Sequence, residues 1–433
     1  MPRLLRNLTP DLRPLRTSRD FRLLELGQLV TGLGSQAALV ALPFQVYILT
    51  GSAFLTGMIG LAELGPLVAT SLVAGALADR HDRRRLLMAC QAALVACAAA
   101  LTAAAIHGDP PLWTLFALAG ATAAASALER VCRGAIVPNT VDRSLLPAAL
   151  SLSFGLAQLT MVVGPAVGGV LIAAFGVEIA YALDAVSCLG MLVAAWAMSP
   201  QPPIGVRERE PVLRSIGNGL RFARRSDALI GSFVIDLAAM GFGMPRALFP
   251  VLAVSVFHAG ASGAGILLAS VSAGATVAAL TTGWLGGARW LGRIVLVAVG
   301  VWGVAIAAAG LMTTLWPAAL LFAVAGAADS VSAVCRTTIT QSLTPDRMRG
   351  RMSSLFSLVV TSGPRLGDVE SGSMAALTTP RLSVITGGLA CVAAVVVLAV
   401  ALPGLMAYDA AAVPVLDDPS SDAPPPATAP AEA

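Results

Sequence analysis

The chain has 433 residues, of which 57% are hydrophobic and only 12% charged, and its mean hydropathy is +0.81. Soluble domains carry about 25% charged residues, so the composition excludes an ordinary water-soluble globule. All 28 basic residues are Arg, and the net charge of +4 takes its meaning from where they sit rather than from a nucleic-acid footprint.

In chain order, residues 1–22 hold six Arg and no apolar core, which predicts a cytoplasmic basic N-terminus and no cleavable signal peptide. Apolar runs follow at about 23–49, 54–78, 86–106, 112–136, 148–174 and 177–198. A charged linker at 200–227 contains a candidate amphipathic helix. A second set of runs lies at about 228–256, 261–285, 290–312, 315–338, 353–378 and 383–405. Each run is near the 20 residues that cross about 30 Å of hydrocarbon. Residues 406–433, ending in "DDPSSDAPPPATAPAEA", are too acidic and Pro-rich to pack and are predicted to be disordered. The fold class expected is an all-α integral membrane protein with twelve transmembrane helices.

The N-terminus and every second connection together hold 22 Arg, whereas the alternate connections hold only Arg381. By the positive-inside rule both termini face the cytoplasm. The chain also repeats. "VCRGAI" at 131–136 returns as "VCRTTI" at 334–339, and each is followed by an Asp-Arg turn, Asp142-Arg143 and Asp346-Arg347. "ALPF" at 41–44 is echoed by "ALFP" at 247–250, and Gly75-x-Leu77 by Gly283-x-Leu285. These echoes come in one order at offsets of 203–208, which predicts two homologous six-helix bundles, 23–199 and 228–405. Two such parallel repeats are an architecture of secondary transporters, with substrate held near the midplane between the halves.

Six Cys fall within or at the ends of apolar runs without CxxC spacing, and the three His, at 81, 107 and 258, are far apart. The Cys read as buried small hydrophobes, with disulfides or a metal site as the alternative, and neither a metal nor a cofactor is expected. No HExxH, P-loop or Ser/His/Asp ordering points to an enzyme.

The stretch "GALADRHDRRRLL" at 75–87 resembles the signature of the major facilitator superfamily between its second and third helices. Gly75, Leu77, Asp79, Arg80, Arg83 and Arg84 match, while Asp82 stands where the family has a second Gly. The resemblance implies that Asp79, on the last turn of span 2, meets the start of span 11 and latches the cytoplasmic gate. The bare alternative is a solvated loop that fixes topology. "TMVVGPAVGG" at 160–169 is similar to the family's antiporter motif, with Gly164, Pro165, Gly168 and Gly169 in place. That motif goes with exporters. On the residues alone it allows close helix packing, with Pro165 bending span 5 against span 8. "FGVEIAYALDAVS" and "LTPDRMRGRMSSL" resemble the branch of enterobactin-exporter and macrolide-efflux-like permeases.

Charges inside spans are costly in hydrocarbon and so face a cavity or a partner. The candidates for proton coupling or for lining a cavity are Glu63, Glu129, Arg133, Asp236, Arg246, Asp329, Arg336, Arg365, Asp368 and Glu370. Spacing suggests ion pairs within one helix for Glu129–Arg133 and Arg365–Asp368, and gives no partner to Asp236, Asp329 or Glu370. Asp184 in span 6 reads as structural. Trp113, Trp284, Trp290 and Trp316 sit near span ends, as interfacial anchors do. The expectation is a monomeric, proton-driven exporter of a siderophore-like or antibiotic-like small molecule in the inner membrane of a bacterium. An importer or lipid-handling permease of the same fold is the alternative, and no nucleic-acid partner is expected.

Overall fold

The computed structural model describes residues 11–203, 212–345 and 348–411. The first part of the basic N-terminus, part of the linker, the second Asp-Arg turn and all but the start of the acidic tail lie outside the described residues. Twelve long helices run through the molecule, and no strand occurs among the described residues. They are α1 (Arg19–Thr50), α2 (Ala53–Arg80), α3 (Arg83–Ile106), α4 (Leu112–Thr140), α5 (Leu146–Phe175), α6 (Val177–Ala197), α7 (Asp227–Gly243), α8 (Gly260–Thr281), α9 (Leu291–Leu311), α10 (Leu315–Leu343), α11 (Arg349–Leu377) and α12 (Pro380–Ala401). The helical segments containing eleven of them are long and apolar enough to cross a membrane. The exception is α11, long enough but carrying Arg349, Arg351, Arg365, Asp368 and Glu370.

Local sequence sets the boundaries. The side chains of Ser18, Ser52, Asp82 and Thr379 accept hydrogen bonds from the first turns of α1, α2, α3 and α12. Gly51, at φ +62°, ends α1 in the left-handed conformation open to glycine. Span 7 is not one helix as expected. Pro245 cannot donate a backbone hydrogen bond and drives Met244 out of the helical region. The chain makes a 3-10 turn at Arg246–Leu248 before resuming as Phe249–Ser255. Span 8 likewise ends early, passing into a 3-10 turn at Thr282–Gly287. The tail stays ordered past residue 406. A short helix, Pro403–Met406, is held by Arg293 Nε on Met406 O at 3.2 Å, and Asp409 pairs with Arg289 at 2.6 Å. The guanidinium holds the Asp409 carboxyl below the usual carboxylate range.

Packing repeats between the halves. In the first, α1 packs on α5 and α6, α4 on α2 and α3, and α3 on α6. In the second, α7 packs on α11 and α12, α10 on α8 and α9, and α9 on α12. The two sets join chiefly along α2 against α11 and α5 against α8. Short connections make successive helices antiparallel, which gathers the Arg-bearing connections at one end of the molecule. The amphipathic helix Val212–Ala223 lies at that end on α11, with Gly219 against Arg351 and Leu355.

Candidate functional site

The seams between the halves meet closely toward the Arg-poor end, where small residues let backbones approach. A Cβ on Gly57 of α2 would lie 3.0 Å from the Gly372 Cα of α11, and one on Gly169 of α5 would lie 2.7 Å from Ala261 O of α8. The antiporter-like segment packs as its sequence suggests. Gly164 and Gly168 face Gln36 and Ala37 of α1, while Gly169 and the Pro165 carbonyl face Gly265 of α8.

Charge is built into the α2–α11 seam. Arg365 Nη2 of α11 pairs with Glu63 Oε2 of α2 at 3.3 Å, and Arg246 Nη2 pairs with Asp368 Oδ2 at 2.7 Å. The break in α7 leaves the Ala247 amide free to donate to Asp368 Oδ1 at 3.0 Å. The expected Arg365–Asp368 pair is thus replaced by two pairs across helices. Three residues apart on α11, these side chains lean toward different neighbours, which intrahelical spacing cannot reveal. Glu63, Arg246 and Asp368 border a cavity of about 40 Å³ together with Val40, Phe249 and Leu268. It has room for water but not for an organic solute.

Each half also encloses an Arg with two acids. In the second, Arg336 of α10 pairs with Asp236 of α7 and, at 3.4 Å, with Asp329 of its own helix. Asp236 and Asp329 therefore share one partner, correcting the reading that gave them none. Arg336 is 3% exposed and Asp236 6%, but the Asp329 side chain is 34% exposed, so it is the accessible member. In the first half Arg133 reaches Glu129 at 3.9 Å, as the spacing predicted. It also acts at longer range on Glu25 of α1, which is fully buried and accepts a hydrogen bond from Ser153 of α5 at 2.5 Å. Glu25 was missed because it falls just inside the first apolar run, where a charged residue reads as a boundary. Arg130, also missed as a candidate, is exposed on α4 beside Glu129. Glu370 lies on the other side of α11 from Arg365 and Asp368, and its Oε2 is buried without a hydrogen bond.

At the Arg-rich end, Asp79 is half-buried on the last turn of α2 after Gly75 and Leu77, and Arg80 is exposed. The other basic residues of the motif act within the first half. Arg83 donates to Ala135 O of α4 at 3.1 Å, and Arg84 donates to Ala195 O of α6 at 2.9 Å and to Trp196 O. Arg84 thus meets carbonyls in the last turn of α6, at the negative end of that helix, whereas Ala135 lies more than a turn before the end of α4. Asp82 caps α3 and also accepts from Gln201 N at 3.1 Å. Arg293 on Met406 O is the second half's counterpart of Arg84 on α6.

Known proteins match the chain over most of its length. A family model described as transmembrane secretion effector, MFS_3, matches residues 9–424. The enterobactin exporter EntS of Citrobacter koseri is 27% identical over 380 residues, covering 87% of this chain and 90% of that protein. EntS of Salmonella typhimurium is 26% identical over 383 residues, covering 87% and 91%. In shape the chain resembles the nucleoside transporter NupG, with a TM-score of 0.72 at 13% identity over 89% of this chain and 99% of that one. It also resembles a bacterial homolog of the human lysosomal transporter Spinster, inward-facing and unoccupied, with a TM-score of 0.66 at 17% identity over 90% and 96%. The chain belongs to the transmembrane secretion effector family of the major facilitator superfamily, and is a multi-pass membrane transporter of small molecules rather than an enzyme.

Proposed function

We propose that the protein exports a small organic molecule, siderophore-like in the first instance and antibiotic-like in the second, across the bacterial cytoplasmic membrane. Transport is by proton antiport with alternating access, in a monomer of two six-helix bundles with both termini in the cytoplasm. The observation that carries this reading is the charged, glycine-lined seam between the halves. Glu63–Arg365 joins α2 to α11 toward the Arg-poor end, where Gly57 meets Gly372 and Gly169 meets Gly265. A closure that crosses the halves has to open for cargo to leave on that side, and small packed residues allow it to re-form. The enterobactin exporters among its relatives support the direction and the cargo class. On this reading α11 counts as a span because Arg365 and Asp368 pair across to α2 and to the break in α7 instead of facing lipid, and Asp79 latches the opposite end against the start of α11.

The test uses purified protein in lipid vesicles, with metal-free enterobactin as probe and an imposed pH gradient. Inside-out vesicles should accumulate enterobactin against its gradient and lose it on adding an uncoupler. Transport indifferent to the uncoupler would overturn the coupling, and net uptake into intact cells would overturn the direction.

A further inference from the structure

The second half's echo of the 75–87 stretch, Gly283-x-Leu285 followed by Arg289 and Arg293, contains no Asp or Glu, so its two positive charges are not balanced locally. Asp409 of the tail takes Arg289, at 2.6 Å. Arg293 forms no ion pair among the described residues. Its Nε donates to Met406 O at 3.2 Å, while Nη1 and Nη2 have no hydrogen-bond partner among those residues. Both guanidiniums lie over the exposed indole of Trp290, 5.3 Å from the ring centroid for Arg289 and 4.5 Å for Arg293.

Arg293 also stands at the mouth of an open groove of about 360 Å³. Ile294, Val297 and Ala298 of α9 form one wall, and Ala328 and Val331 of α10 the other. Because α8 gives way early to the 3-10 turn Thr282–Gly287, the exposed indole of Trp284 completes the lining beside Arg293. From Arg293 to Ala298 the groove follows α9 for about 8 Å toward the middle of the span. Val297 is exposed, and in a membrane protein such an apolar surface meets acyl chains.

Hydrocarbon walls with a guanidinium and an indole at one end have the polarity of a phospholipid laid along them. Trp residues sit at headgroup depth, and basic pockets between membrane helices hold anionic headgroups. A bare acyl chain would leave the guanidinium without an anion. A headgroup bearing a cationic nitrogen would bring it to a lining without a carboxylate, near an Asp409 already held by Arg289. We infer that the α9–α10 groove binds an anionic phospholipid of the leaflet at the Arg-rich end, with an acyl chain along Val297 and Val331 and the phosphate on Arg293 and the Trp284 N–H. The site needs only a bilayer around the chain and is independent of what is transported and in which direction.

The experiment is native mass spectrometry of the full chain in detergent, titrated with phosphatidylglycerol or with phosphatidylcholine of the same acyl chains, reading the first lipid retained. Phosphatidylglycerol should bind about fivefold more tightly, the worth of one Arg near an anionic membrane surface. Arg293→Gln should remove that preference. Arg293→Lys, which keeps the charge, should retain it and so separates loss of charge from loss of fold. Val297→Trp fills the groove at an exposed position and should weaken phosphatidylglycerol with Arg293 still in place. Arg85→Gln, at an exposed position of the same end in the first half, should leave the preference intact. Equal binding of the two lipids, a preference that survives Arg293→Gln, binding indifferent to Val297→Trp, or an equal loss in Arg85→Gln overturns the site.

Discussion

Glu63 and Arg365 show what one ion pair does at a seam between helices. Both side chains are largely buried, at 17% and 16% exposure, so each desolvated charge depends on the other. Removing one partner of such a pair costs about 3–5 kcal/mol, mostly from stranding the survivor. Glu63→Gln should therefore weaken the closed Arg-poor end by about 3 kcal/mol, seen as faster amide exchange at the start of α2 and the end of α11 and as slower enterobactin transport. Adding Arg365→Gln should recover part of the loss, since the double variant strands no charge; a double-mutant cycle without coupling would remove the pair from this role. The identity of these charged residues was legible in the sequence, because charge inside apolar runs stands out. Their partners were not. Arg365–Asp368 and the unpartnered Asp236 and Asp329 were read from one helix at a time, while Glu63, Arg246 and Arg336 complete them from elsewhere in the bundle.

Among the elements, the motif after α2 divides its work. Asp82 starts α3, Arg84 binds carbonyls in the last turn of α6 and Arg83 binds Ala135 O of α4, so three helices are tied at one corner. Arg84→Ala gives up two charge-assisted bonds, and should lower the melting temperature by about 2–4 °C. Arg80→Ala, at an exposed position, should change it by less than about 1 °C, measured by thermal unfolding in detergent. An equal fall in both variants would show that the loop acts through net charge alone. The helices themselves were readable to within a few residues, because membrane spans are set by length and apolarity. The interruption in α7 was not, although "GFGMPRALFP" contains its cause. Pro residues also occur inside α1, α2, α4, α5 and α11 without stopping them. What differs at Pro245 is the pair of glycines just before it, which lowers the cost of leaving the helix.

For the molecule as a whole, the repeat seen in short sequence echoes reappears as a repeat of helix neighbours and of details. The Cys-Arg pairs 132–133 and 335–336 each place an Arg on the fourth helix of its half, facing acids on the first and fourth. The distribution of Arg between connections gives an orientation that can be checked directly. A periplasmic phosphatase fused after Gly108 should be active and one fused after Arg85 inactive, and the reverse result would invert the topology. The absence of Lys has a consequence for energetics. A guanidinium keeps its proton throughout the physiological range, so Arg130, Arg133, Arg246, Arg336 and Arg365 form an array of permanent positive charges in the bundle. The three His, at 81, 107 and 258, lie at helix ends or in connections. Only the carboxylates among these interior charges can change state near neutral pH. The cations are a constant field, and any protonic signal passing through this protein has to be written in Glu and Asp.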